Sequence, residues 1–133
     1  MFSFFKKANC IAGVSTTLQS CGMHKEEARM MLEVYPNFFP QILGLTKNVS
    51  LQQRNIIAAS SYLDLLHSLD SDYSVHLYQK KLIEALNYQI ITNNNWREIG
   101  MSVNRVRHII NGEKLLSERE VEETFEPSKL IPE

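Results

Sequence analysis

The stretch Ser50-Leu51-Gln52-Gln53-Arg54-Asn55-Ile56-Ile57-Ala58-Ala59-Ser60-Ser61-Tyr62-Leu63-Asp64-Leu65-Leu66 decides the fold class. Ser50 and Gln53 stand in capping-box spacing, in which each side chain satisfies a backbone donor of the other at a helix start. Ile56, Ala59, Leu63 and Leu66 then recur three and four apart, which puts them on one helical face. The helix is predicted to run until Asp70, Ser71 and Asp72, whose short polar side chains compete with the helical backbone. A second long helix is predicted from about Tyr73 to Ile91, with Val75, Tyr78, Leu82, Leu86 and Ile90 inward. So short a connection makes the two central helices antiparallel neighbours.

Towards the N-terminus, Ala28, Met31, Leu32 and Tyr35 form a stripe on a helix predicted from about Met23 to Tyr35. Pro36 ends it by removing a donor and crowding the preceding turn. Asn37 to Leu43, closed by Gly44, reads as one or two turns bringing Phe38 and Phe39 into the core. Phe2 to Ser20 is predicted to be helical through Phe4, Ala8, Ile11 and Leu18, although Gly13, Val14, Thr16 and Thr17 lower its propensity. No alternating strand pattern and no internal repeat occurs. The expectation is a single compact all-α domain of about five to seven helices over residues 1–126, with a mobile tail at 127–133 containing Pro127 and Pro132.

At 133 residues the chain is long enough to bury a core without a metal or disulfide staple. Hydrophobic residues at 44% and charged residues at 22% exclude wholesale disorder. A formal net charge of -1 excludes a protein that coats nucleic acid by bulk charge, so any nucleic-acid contact needs a local basic patch. Cys10 and Cys21 are too few for the disulfide framework of a small secreted fold and read as buried free thiols in a reducing cytoplasmic setting. Leu18-Gln19-Ser20-Cys21 resembles a bacterial lipoprotein cleavage site, but Ala8 to Leu18 is too polar for the apolar stretch such a signal needs. No run approaches the roughly 18 apolar residues of a membrane span.

No glycine-rich phosphate loop, nucleophile turn or zinc-protease helix motif occurs. His24, His67, His76 and His108 are scattered, and Cys21 with His24 makes only half of a metal site. The expected protein is therefore not an enzyme, holds no cofactor or metal, and has no small-molecule substrate.

One segment carries a pattern: Trp96-Arg97-Glu98-Ile99-Gly100-Met101-Ser102-Val103-Asn104-Arg105-Val106-Arg107-His108-Ile109-Ile110-Asn111-Gly112. It predicts a short helix stopped at Gly100, a tight turn, and a second helix capped by Ser102 and ended at Gly112, with Val106 and Ile109 inward. Ser117 and Glu120 form a further capping box before Val121 and Phe125. These offsets resemble the helix-turn-helix family of the lambda repressor and Cro. Gly100, Ser102, Val106, Ile109, Asn111-Gly112 and Ser117 match its turn glycine, capping serine, inward aliphatics, helix end and next serine cap. The family favours an aliphatic and then a small residue where this chain has Asn95 and Trp96.

The resemblance implies a helix-turn-helix-like part within residues 73–126, with Ser102 to Asn111 as recognition helix in a DNA major groove. Ser102, Val103, Asn104, Arg105, Arg107 and His108 are then the candidate contact residues. Trp96 to Lys114 holds four Arg/Lys against two Glu, whereas Ser117 to Glu133 holds six Glu against two. Glu118, Glu120, Glu122, Glu123 and Glu126, followed by Leu130 and Ile131, resemble C-terminal export signals of bacterial effectors delivered by type IV secretion, which implies delivery into a host cell. The expected partners are accordingly double-stranded DNA, or a protein or second copy bound by an adaptor, chaperone or effector.

Overall fold

The computed structural model describes residues 2–70 and 75–131, with side chains from residue 5 onward. Its elements are α1 (Phe2–Ser20), α2 (Lys25–Leu32), α3 (Phe38–Leu45), α4 (Leu51–Leu69), α5 (His76–Thr92), α6 (Trp96–Ile109), α7 (Glu118–Phe125) and α8 (Pro127–Leu130), with no strand among the described residues. The fold is a single all-α domain with one core fed by every helix from α1 to α7.

α4 is the hub. Its capping box forms as the spacing predicts: Ser50 Oγ accepts from the Gln53 amide at 3.1 Å and Gln53 Oε1 accepts from the Ser50 amide at 3.1 Å. Ile56, Ala59, Leu63 and Leu66 are all buried. Tyr62 is buried too, edge-on to Phe38 at 5.0 Å and stacked on Phe39 at 5.7 Å. Its hydroxyl donates to the Met31 carbonyl and accepts from the Tyr35 amide at 3.1 Å, so α4 holds the end of α2 and the turn at Pro36. Each such large side chain contributes roughly 1.5–3 kcal/mol through burial.

α5 runs antiparallel to α4, because Gln53 at the start of α4 meets Gln89 near the end of α5, while Ser60 and Asp64 meet Gln79 at its start. Val75, Leu82, Leu86 and Ile90 are buried as expected, and Tyr78 is half-buried. Ser71, Asp72 and Tyr73 fall outside the described residues. Asn93 and Asn95, after α5, form a polar clamp. Asn95 stands at the α6 N-cap but makes no capping bond. Instead it donates to Gln53 Oε1 at 2.8 Å and accepts from Gln53 Nε2 at 3.2 Å, while Asn93 donates to the Gln89 carbonyl at 2.8 Å.

α1 packs on α4 and buries Cys10, Val14 and Leu18, so Leu18 is inward as expected while Ala8 and Ile11 are not at the seam. Ala8 is exposed and Ile11 half-buried. The reason is Gly13: a Cβ there would lie 2.5 Å from Asn55 Nδ2, so the helices approach on the side where α1 has no side chain. The side chain of Phe4 lies outside the described residues.

The end of the chain differs from a mobile tail. Pro127–Leu130 forms α8, which packs on α5, and Lys129 Nζ donates to the Glu123 carbonyl at 2.9 Å. Proline suits the first turn of a helix, where its missing donor has no partner to lose. Residues 132–133 lie outside the described residues.

Candidate functional site

The segment expected to form two helices forms one. α6 runs unbroken from Trp96 to Ile109, so no turn exists at Gly100. Its apolar stripe is Ile99, Val103 and Val106 with Ile110, spaced four, three and four, and it is continuous across the glycine. A Cβ at Gly100 would lie 2.9 Å from the ring of Phe125. The glycine is there to let α7 lie close against α6. Ile109, expected inward, is 58% exposed.

That continuity redistributes the six candidate contact residues. Ser102, Val103 and Asn104 are buried and cannot reach a DNA groove. Ser102 Oγ is the one buried side-chain polar atom among the described residues with no hydrogen-bond partner. Asn104 braces the loop before α7: Leu116 N–H donates to its Oδ1 at 2.9 Å and its Nδ2 donates to the Leu116 carbonyl at 3.1 Å. Arg107 lies over the Phe125 ring, 6.0 Å from its centroid. It also faces Asp64 across a cavity of about 10 Å³, bounded by Ser61 and Asn111. Ser61 Oγ donates to Asn111 Oδ1 at 2.8 Å and Asn111 Nδ2 donates to the Ser61 carbonyl at 3.2 Å. His108 Nδ1 lies 2.8 Å from the Glu113 carbonyl. Arg105 is half-buried. Two residues apart on a helix is about 200° of rotation, so Arg105 and Arg107 do not share one basic face.

Open surface lies instead along α1. Between α1 and α2 runs a groove of about 510 Å³ with Ala8, Ile11, Ala12, Leu32 and Pro36 in its lining. Lys7 and Lys25 edge it without ion-pair partners among the described residues, whereas Arg29 is held by Glu26 at 3.1 Å and Glu33 at 3.2 Å. Ala8, Ile11, Ala12 and Ser15 follow the i, i+3, i+4, i+7 period, a second face of α1 that its own fold covers only in part, with Ala8 and Ala12 exposed and Ile11 and Ser15 half-buried. A larger cleft of about 720 Å³ opens between α1, the end of α3 and the start of α4, where Lys6, Lys47 and Arg54 stand with Asn9 and Asn55.

Sequence reading passed over these lysines, yet a signal existed. Residues 1–25 and 34–63 contain no aspartate or glutamate, so the cations that α1, α3 and α4 bring together have no carboxylate of those segments to pair with.

No group of three or more histidine, cysteine or acidic side chains stands close enough to hold a metal among the described residues. Cys10 and Cys21 are buried free thiols. Burial pushes the Cys10 thiol up, and the charge of Arg54 partly opposes that. The His67 and His76 rings meet edge-on at 5.9 Å beside the α4–α5 turn. No described helix is long and apolar enough to cross a membrane. No family model, curated protein or solved structure matches the chain.

Proposed function

We propose that this chain is a small, non-catalytic intracellular regulatory protein that acts as an adaptor, taking an acidic amphipathic helix of a protein partner into the α1–α2 groove. The observation that carries it is the partly covered second face of α1, where Ala8 and Ala12 are exposed. An apolar stripe at helical spacing, walled by a second helix, accepts the apolar face of a third helix. Ala8, Ala12 and Ser15 are small enough for close backbone approach, while Ile11 and Pro36 supply apolar surface. Lys7 and Lys25 at the edges favour a partner whose apolar stripe is flanked by Asp or Glu, which speeds encounter and fixes orientation. A DNA partner has less support, because, of the cations on α6, Arg97 is paired with Glu122 and Arg107 lies over Phe125, which leaves Arg105 and His108.

The test is selection of helical peptides from a random display library against the full chain, with Ile11→Glu as counter-selection. Enriched peptides should carry apolar residues at i, i+3, i+4 and i+7 between acidic ones. They should bind Ile11→Glu at least about tenfold more weakly, a loss of roughly 1.4 kcal/mol. Salt should weaken them. Enrichment of basic or extended peptides, or equal binding to Ile11→Glu, would overturn the proposal.

A further inference from the structure

On the opposite side of α1, we infer that the cleft between α1, α3 and α4 is a binding site for a phosphate monoester carried on an apolar group. The site is separate from the groove of the adaptor and stands on its own observations. Lys6, Lys47 and Arg54 line one cleft, none has an ion-pair partner among the described residues, and no carboxylate lines the cleft with them. Three cations in one cleft match a dianion better than a single carboxylate. Leu43, Val49 and Leu51 line the same cleft, so part of its wall is apolar, and about 720 Å³ is far more room than an inorganic anion needs.

Arg54 is not a freely swinging surface arginine. Its Nε and Nη2 donate to Asn55 Oδ1 at 3.3 and 3.0 Å. Asn55 in turn is seated against Gly13, where even a methyl group would collide with it. The crossing of α1 on α4 therefore fixes Asn55, Asn55 steers the guanidinium, and Nη1 remains available for an oxygen of the ligand. Arginine holds phosphate best when its planar fork is preorganised, because less rotamer freedom is lost on binding. Lys6 and Lys47 act as mobile point charges around it.

The experiment is titration of the isotope-labelled full chain with phenyl phosphate, inorganic phosphate and phenol, read by amide and arginine Nε chemical shifts. Phenyl phosphate should saturate with shifts confined to residues around Asn9, Lys47 and Arg54. Inorganic phosphate should bind about tenfold more weakly and phenol not at all, because each supplies half of the contact. Arg54→Gln and Lys47→Gln should each weaken phenyl phosphate about tenfold, whereas Lys80→Gln on α5 should leave it unchanged. Lys47 is exposed, so its variant tests the site without touching the core. A parallel arm uses phosphatidylcholine vesicles with and without phosphatidic acid. Vesicle binding that needs Lys47 identifies a lipid as the source of the ester, and phenyl phosphate binding alone identifies a free ester. No saturation by phenyl phosphate at about 10 mM, or equal affinity of Lys47→Gln and the parent chain, would overturn the inference.

Discussion

In α6, the polar residues Asn104, Arg107 and His108 each have a partner inside the chain, whereas in α1 the neighbouring Lys6 and Lys7 have no ion pair among the described residues. The first set has the residue types of a DNA-reading helix and the second has the look of ordinary surface lysines. The structure reverses what residue type suggests. A polar side chain tells little about function until its internal partners are known, and an asparagine on a helix is as ready to brace a loop as to meet a base. Lysines become informative when the surrounding segments hold no carboxylate to neutralise them.

The strongest way to break that contrast is to detach α7 from α6. Phe125→Ala should destabilise by about 3–5 kcal/mol in urea unfolding, since it empties the contact that Gly100 makes room for. Gly100→Ala should cost about 1–3 kcal/mol by overpacking the same spot. The two together should cost less than their sum, because removing the ring frees the space the methyl group needs. Additive losses would mean that Gly100 serves something other than this contact.

Within α6 itself, two neighbouring polar residues should respond with opposite sign. Asn104→Ala should lose about 1–3 kcal/mol, because it strips both hydrogen bonds from the Leu116 backbone. Ser102→Ala should be neutral or stabilising, since its buried hydroxyl has no partner to lose. Arg105→Ala should stay within about 0.5 kcal/mol. Were Asn104→Ala as neutral as Arg105→Ala, the expected exposed recognition face would be restored.

The contact between α4 and α6 can be sharpened by pH. Desolvation raises the Asp64 carboxyl above its ordinary 3.8, with the charge of Glu113 adding and Arg107, Gln79 and His67 opposing. A raised folded pKa means that the stability it contributes is present at low pH and is lost as pH rises through that folded value. Asp64→Asn should therefore match the parent chain well below 3.8 and become progressively more stable than it above that point. Equal pH profiles in thermal unfolding would show that Asp64 is not desolvated there.

The smallest stability effects should come from α1, where the largest binding effects are expected. Lys6→Gln should change unfolding free energy by less than about 0.5 kcal/mol, as surface substitutions do, and Ile11→Glu, at a half-buried position, by about 1 kcal/mol. A loss of several kcal/mol from Ile11→Glu would show that this face is part of the core.

Helix positions were legible in the sequence wherever a local rule acts alone. The Ser50 and Ser117 capping boxes and the inward stripes of α4 and α5 follow from spacing along one helix, whereas the helix expected to run to Tyr35 ends at Leu32, short of Pro36. What was not legible depends on a second helix. The buried face of α1 is chosen by the fit of Asn55 against Gly13, and Gly100 stays helical because Phe125 covers it. Glycine followed by a capping serine reads as a turn in isolation. Only contact with another element distinguishes a glycine that bends the chain from one that admits a neighbour. Likewise the asparagines at 93 and 95 have turn chemistry in sequence and a clamping role in space.

The doubly tied side chain of Asn111 also bears on how the molecule ages. Asn followed by Gly is the pair in which the next backbone nitrogen most readily attacks the side-chain carbonyl, expelling ammonia to close a succinimide that water opens to an acid. Here both ends of that amide are fixed to Ser61, so the side chain must release its two bonds before it can swing onto Gly112. An acid formed there would lose the donor to the Ser61 carbonyl and place a second carboxylate beside Asp64 at the same small cavity. Folding therefore works as a preservative at this position: the brief openings of the α4–α6 contact, rather than the native state itself, set the pace of deamidation.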